Sequence, residues 1–131
     1  MLRAEIDLVD GVQAPRAARR ASRAVLGGWG YRDEDALEVV ELVVTELVTN
    51  ALRHAPGTPF QLQLESGDRL RVAVVDGSAL VPVARAMDAA SEGEESGRGL
   101  HIVSELADAW GFEDLPDGKR IWVDLPFAPQ G

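Results

Sequence analysis

Between Asp33 and Pro56 runs the feature that most restricts the fold: an unbroken helical pattern, ALEVVELVVTELVTNALRHA. An acid at Asp33 or Asp35 is placed to cap its start, and Pro56 and Gly57 break it. At steps of about 100° per residue, Leu37, Val40, Val44, Leu47, Val48 and Ala51 fall on one arc, and Glu46, Thr49, Asn50 and Arg53 on the opposite one. An apolar face of this length needs a second layer to cover it. The next segments, FQLQLES and LRVAVVD, alternate or nearly so across Gly67 and Asp68, which predicts an antiparallel hairpin packed on the helix.

The remaining segments extend both layers. Ala4, Ile6 and Leu8 alternate with Glu5 and Asp7 as in a strand with one wet face. Pro15 opens a helix that Gly27 and Gly28 close. Its Arg16, Arg19, Arg20 and Arg23 form a stripe, read as a solvated face opposite Ala17, Ala21 and Val25 in preference to a docking surface. Residues 81–96 hold too few apolar side chains for a packed position and read as a mobile loop. Leu100, Val103, Leu106 and Trp110 then recur at helical intervals, which puts Gly97 and Gly99 at the start of a third helix. AWGFEDL and KRIWVDL flank Pro116, Asp117 and Gly118 as a second hairpin, with Ile121, Val123 and Leu125 facing inward. The sum is an α/β two-layer sandwich of the α+β kind: a mixed, mostly antiparallel sheet covered on one face by about three helices.

A length of 131 residues with 46% hydrophobic content suits one domain, residues 1–131. No apolar run approaches the roughly 20 residues of a membrane span, the start lacks a secretory signal pattern, and cysteine is absent, so a cytoplasmic location is expected with no membrane partner. The net charge of -9 opposes binding to phosphate backbones, so no direct nucleic-acid partner is expected. Of the 13 basic residues, only Lys119 is a lysine.

Three local patterns carry chemistry. Glu46 and Asn50 sit one helical turn apart, so their oxygens reach into one volume. An amide oxygen is a hard ligand suited to Mg²⁺, and a neighbouring carboxylate can take the proton from an attacking hydroxyl or water. VAVVDGS leaves the acceptor-only Asp76 at a strand end, able to accept from an exocyclic amine such as that of adenine. SGRGLHIV offers backbone N–H groups at a helix start, with Arg98 as a nearby cation, a setting that stabilises phosphate. Each pattern alone has an ordinary structural explanation, and their succession in this order is the informative part. His54 is explained as well by a helix C-terminus as by a ligand role.

With these motifs the chain resembles the Bergerat-fold (GHKL) ATP-binding domain shared by DNA gyrase, Hsp90, histidine kinases and MutL. It is most similar to the small stand-alone anti-sigma factor serine kinases of the SpoIIAB and RsbW type. ELVTNALRH corresponds to the N box, VVDGS to a short first glycine box, GRGLHIV to the second, and GKRIWVDLP to the last strand. The resemblance implies Glu46 as catalytic base, Asn50 as magnesium ligand, Asp76 as adenine anchor, and Gly97 and Gly99 as phosphate-facing glycines. Arg53 and Arg98 would be phosphate contacts, with Ser78 and Leu100 also lining the nucleotide site, and residues 81–96 would be the ATP lid. Many relatives carry a threonine in the last strand that supports the aspartate, and Arg120 takes that place here. The implied cofactors are ATP and Mg²⁺. The implied function is a partner-switching serine protein kinase that phosphorylates an anti-sigma factor antagonist, with a sigma factor as second partner and a homodimer as the working form. The alternative is a catalytically weak or inactive module that only holds a protein partner, and an ATPase-driven clamp ranks below both. No phosphoacceptor helix precedes the domain, which argues against a complete sensor histidine kinase.

Overall fold

Asp33, of the two candidate caps, starts the long helix. Its carboxylate accepts from the N–H groups of Asp35 at 3.0 Å and Ala36 at 3.4 Å, two of the donors a helix start leaves without partners. The computed structural model describes residues 1–77 and 95–130, with the backbone alone for 95–100. Its helices are α1 (Ala14–Gly28), α2 (Glu34–His54) and α3 (Glu95–Leu106). Its strands are β1 (Leu2–Leu8), β2 (Phe60–Ser66), β3 (Leu70–Asp76), β4 (Ala109–Leu115) and β5 (Gly118–Leu125). Glu34 and Asp35 in the first turn of α2, and Arg53 and His54 in the last, match the sign of the helix dipole at each end.

The strands form one sheet in the order β1-β2-β3-β5-β4, and every pairing in it is antiparallel. The expected mixed sheet is therefore antiparallel throughout the described residues. Opposed pairs such as Leu62 with Val74 and Val72 with Val123 put apolar side chains on one face. That face meets the apolar arc of α2, all of it buried as expected and extended by Val43. The covering layer on one side of the sheet is the two-layer architecture anticipated above.

Helix α1 is turned by about one position from its expected orientation. Its buried residues are Ala14, Ala18, Ser22 and Leu26, whereas Ala17 is exposed and Ala21 and Val25 are half-buried. The cause is the neighbouring helix. Arg19 donates to Thr45 at 3.0 Å, and Arg23 pairs with Glu34 and Glu41, so two arginines of the stripe lie against α2 while Arg16 and Arg20 stay exposed. Small side chains at 14, 18 and 22 let the helices approach, and the Ser22 hydroxyl is satisfied by the Ala18 carbonyl at 2.8 Å.

The face of the sheet turned away from the helices carries a charged lattice. Arg71 makes a bidentate pair with Asp124 at 2.7 and 2.9 Å, and its guanidinium lies 4.2 Å from the centroid of the Trp122 ring. Trp122 in turn lies across Gly111, where a Cβ would come within 2.7 Å of the indole. Trp110, which the helical spacing and the expected AWGFEDL strand both include, belongs to the strand, β4, with its ring centroid 5.8 Å from that of Phe112. Seven residues separate it from Val103, a spacing that fits a helix, but two separate it from Phe112, and the strand period prevails once α3 ends at Leu106. The segment expected to be the lid lies outside the described residues except for Glu95 and Ser96, which open α3.

Candidate functional site

The last turns of α2, the end of β3 and the start of β5 meet at one end of the sheet, and the residues that carry chemistry gather there. Asn50 is only 3% exposed, on the helix face expected to lie clear of the core. Its Oδ1 has no hydrogen-bond partner among the described residues. Leaving a buried acceptor unsatisfied costs on the order of 1–3 kcal/mol, so this oxygen suits a group that the described residues do not supply. A hard cation fits: a neutral amide oxygen is a normal Mg²⁺ donor, and Mg²⁺ keeps water and phosphate oxygens for its other positions. No cluster of three or more acidic or histidine ligands that would make an all-protein metal cage occurs among the described residues.

Glu46, one turn earlier, is half-buried, and burial pushes its carboxyl above the ordinary value of 4.5 against the opposing charge of Arg53. A raised carboxyl is a stronger base when ionised, which suits a proton acceptor. Arg53 is exposed, within electrostatic reach of Glu46. The structure thus brings Glu46, Asn50 and Arg53 together on two turns of α2.

Asp76 is buried, at 5% exposure, and holds a partner that the sequence reading misplaced. Arg120 was expected beside it, but the β3–β5 register sets Asp76 opposite Lys119 and Val75 opposite Arg120. Lys119 is wholly buried and its Nζ donates to both carboxylate oxygens, at 2.8 and 2.6 Å. Arg120 points to the opposite face, where it donates to Gln63 at 2.9 Å and Glu113 at 2.8 Å. Strand side chains alternate, so an error of one position moves a residue through the sheet. Burial lowers the lysine from its ordinary 10.5, and the hydrogen bonds and charge of Asp76 pull it back. Gly118 makes the approach possible: a Cβ there would overlap the Asp76 carbonyl oxygen and lie 2.8 Å from Gly77 Cα.

His54, in the last turn of α2, senses this pair. Burial, then Lys119 and Arg53, push its imidazole below the ordinary 6.5, with Asp76 opposing. Gly97 lies in the first turn of α3, and Arg98, Gly99 and Leu100 follow directly in the same helix, which packs against α2 and buries Val103 in the shared core. Ser78 lies outside the described residues. His101 pairs with Glu105 at 3.1 Å on a partly exposed part of α3. Lys119 is the residue that sequence reasoning missed. Its signals were its standing as the only lysine in the chain and its place directly after a hairpin turn opposite the end of β3.

Solved structures with this fold include full-length ShkA in complex with AMPPNP, which superposes with a TM-score of 0.60 at 19% identity and covers 95% of this chain. The present chain spans 32% of ShkA, about a third of its length. The catalytic domain of the histidine kinase ThkA, in a nucleotide-free form, superposes with a TM-score of 0.55 at 16% identity, covering 98% of each chain. At these identities the likeness is one of fold. A search of curated proteins gave no match. The profile described as histidine kinase-like ATPase domain matches residues 11–125, from the start of α1 to the end of β5, and the chain accordingly belongs to that family.

Proposed function

We propose that this protein binds Mg·ATP at the junction of α2, α3 and the β3–β5 end of the sheet, and transfers the γ-phosphoryl group to a serine of a small antagonist protein. It would thereby act as an anti-sigma factor, or partner-switching, kinase. The observation that carries the nucleotide reading is Asn50, a buried amide whose oxygen lacks a partner among the described residues, one turn from a half-buried carboxylate. The serine-kinase part rests on the resemblance of ELVTNALRH, VVDGS and GRGLHIV to the anti-sigma factor kinases.

In this reading Asn50 holds the metal, which neutralises phosphate charge. Glu46 receives the proton of the serine hydroxyl, Asp76 accepts from the exocyclic amine of the base, and the first turn of α3 presents N–H groups to phosphate. Arg53 and Arg98 supply positive charge beside the phosphates. Positioning and charge neutralisation do most of the work, since phosphoryl transfer asks little covalent help of the protein.

Two variants separate binding from transfer. Asn50→Ala is expected to abolish Mg²⁺-dependent binding of labelled ATP, and Glu46→Gln to retain binding and lose labelling of the antagonist. Because the Glu46 carboxyl is raised, the acid limb of the transfer rate is expected above the ordinary carboxylate range, and the rate rises with pH through it. Absence of ATP binding at millimolar nucleotide defeats the proposal. A second reading, a module that holds a protein partner without catalysis, draws on the Lys119 ammonium already seated on Asp76. Transfer of label to a candidate antagonist excludes it.

A further inference from the structure

On the face of the sheet away from the helices, directly opposed residues form a row across four strands. The registers set Asp124 of β5 against Arg71 of β3, Arg71 against Glu65 of β2, and Glu65 against Arg3 of β1. Their signs alternate. Arg71 holds both oxygens of Asp124 and feels the charge of Glu65, and Arg3 lies 3.7 Å from Glu65. The row stops on a cation, at a margin of the sheet. There β1 pairs with β2 along its whole length without a bulge or a proline and, among the described residues, has no neighbour on its other side. Such a regular edge is a template of N–H and C=O groups for one more strand. To continue the row, that strand has to set a carboxylate opposite Arg3.

The strand β1 carries that carboxylate itself, at Glu5. We propose that β1 pairs antiparallel with β1 of a second copy of the chain, across a twofold axis at Ala4, so that two sheets join into one. Arg3 then faces Glu5 of the second copy, Glu5 faces its Arg3, and the alternating row continues through the axis. Side chains alternate along a strand, so keeping the helices of both copies on one side of the joined sheet allows only every second register. Of those that keep most of the strand paired, an axis at Glu5 opposes Glu5 with itself, and an axis at Ile6 opposes Glu5 with Asp7. The axis at Ala4 opposes no like charges, which are destabilising when directly across. On the helix side it sets Leu2, 46% exposed, against the half-buried Ile6 of the second copy. In the single chain Arg3 bonds its own Glu5 at 2.9 Å, with both side chains about half exposed. Such a pair contributes little, so exchanging it across the axis gives up little. The opposite margin, β4, offers only acids, Glu113 and Asp114, and pairing β1 with β4 of the next copy runs head to tail into an open array instead of closing.

Sedimentation of the intact chain is expected to show a dimer. Arg3→Glu and Glu5→Arg each set like charges across the axis twice and are each expected to weaken dimerisation roughly ten-fold or more. A mixture of the two variants is expected to restore it, because glutamate then meets arginine at every opposed place. Both positions are exposed, so the fold is expected to survive the changes. The chain has no cysteine, and single introduced thiols therefore report the register without background. In Ala4→Cys the two Cα atoms come about 4.5–5.5 Å apart, within disulfide reach, and mild oxidation is expected to give a covalent dimer. In Ile6→Cys the thiols are offset by about 13 Å along the strands and are expected to stay reduced. Four results each overturn the inference: a monomer at millimolar protein, a dimer that both charge variants leave intact, open assemblies that grow with concentration, or cross-linking of Ile6→Cys as readily as Ala4→Cys. None of them bears on nucleotide binding, which is measured separately.

Discussion

Lys119→Met keeps most of the length of the side chain and removes its charge, taking away the two bonds to an Asp76 side chain that is only 2% exposed. Removing one partner of a buried ion pair costs about 3–5 kcal/mol, chiefly because the other charge stays desolvated. Against a total of roughly 5–15 kcal/mol for a domain, that is a large fraction, and it corresponds to a fall in Tm of about 10–20 °C at this chain length. Asp76→Asn is expected to cost less at high pH than at neutral pH. Its lysine, already depressed below 10.5 by burial, loses the opposing pull of the carboxylate. The unfolded chain then binds the proton more tightly than the folded one, so stability rises with pH in the window from the depressed folded value to 10.5. The double replacement Asp76→Leu with Lys119→Met removes both charges and is expected to recover most of the loss, since apolar substitutes for buried pairs are often neutral or better. Urea unfolding at pH 7 of the unmodified protein, Asp76→Leu, Lys119→Met and the double variant gives the cycle. A single-variant loss below about 1 kcal/mol, or a double variant no more stable than Lys119→Met, refutes the claim that the pair is desolvated and mutually dependent.

Gly111→Ala places a methyl within 2.7 to 3.1 Å of the Trp122 indole, which must swing away and lose its contact with Arg71; the expected cost is about 1–3 kcal/mol, read by urea unfolding together with a red-shifted tryptophan emission. Unchanged emission and stability contradict the packing. For His54 the folded-state value lies below 6.5, so the stability it contributes is present above 6.5 and lost as pH falls toward the folded value. His54→Gln is therefore expected to flatten the fall of Tm between pH 7 and 5, and parallel Tm curves for the two proteins count against the assignment.

Much of the architecture was legible because it rests on local period. The arc from Leu37 to Ala51 and the alternation in Phe60–Ser66 and Leu70–Asp76 each belong to one element and needed no knowledge of its neighbours. The misses share a cause: they depend on a second element. In α1 alanines occur all round the helix, so apolar contrast is weak, and its orientation is decided by Thr45, Glu34 and Glu41 of α2. The burial of Asn50 is invisible on a helical wheel, which records only its own helix. Lys119 and Arg120 are adjacent, and only the β3–β5 register decides which of them meets Asp76. The residues of the candidate site on α2 were legible as a set, since spacing along one helix determines their common face. The conjunction of strand ends was not.

The lattice on the side of the sheet away from the helices has a consequence for assembly. Arg71 with Asp124, and Arg120 with Glu113 and Gln63, would have to be stripped of water for a further layer to stack there, at a penalty that loose geometry does not repay. A second sheet laid flat on this one is thereby disfavoured, and so is a sandwich of two protomers back to back. The helical side and the margins formed by β1 and β4, the outermost strands among the described residues, carry no such penalty from this lattice.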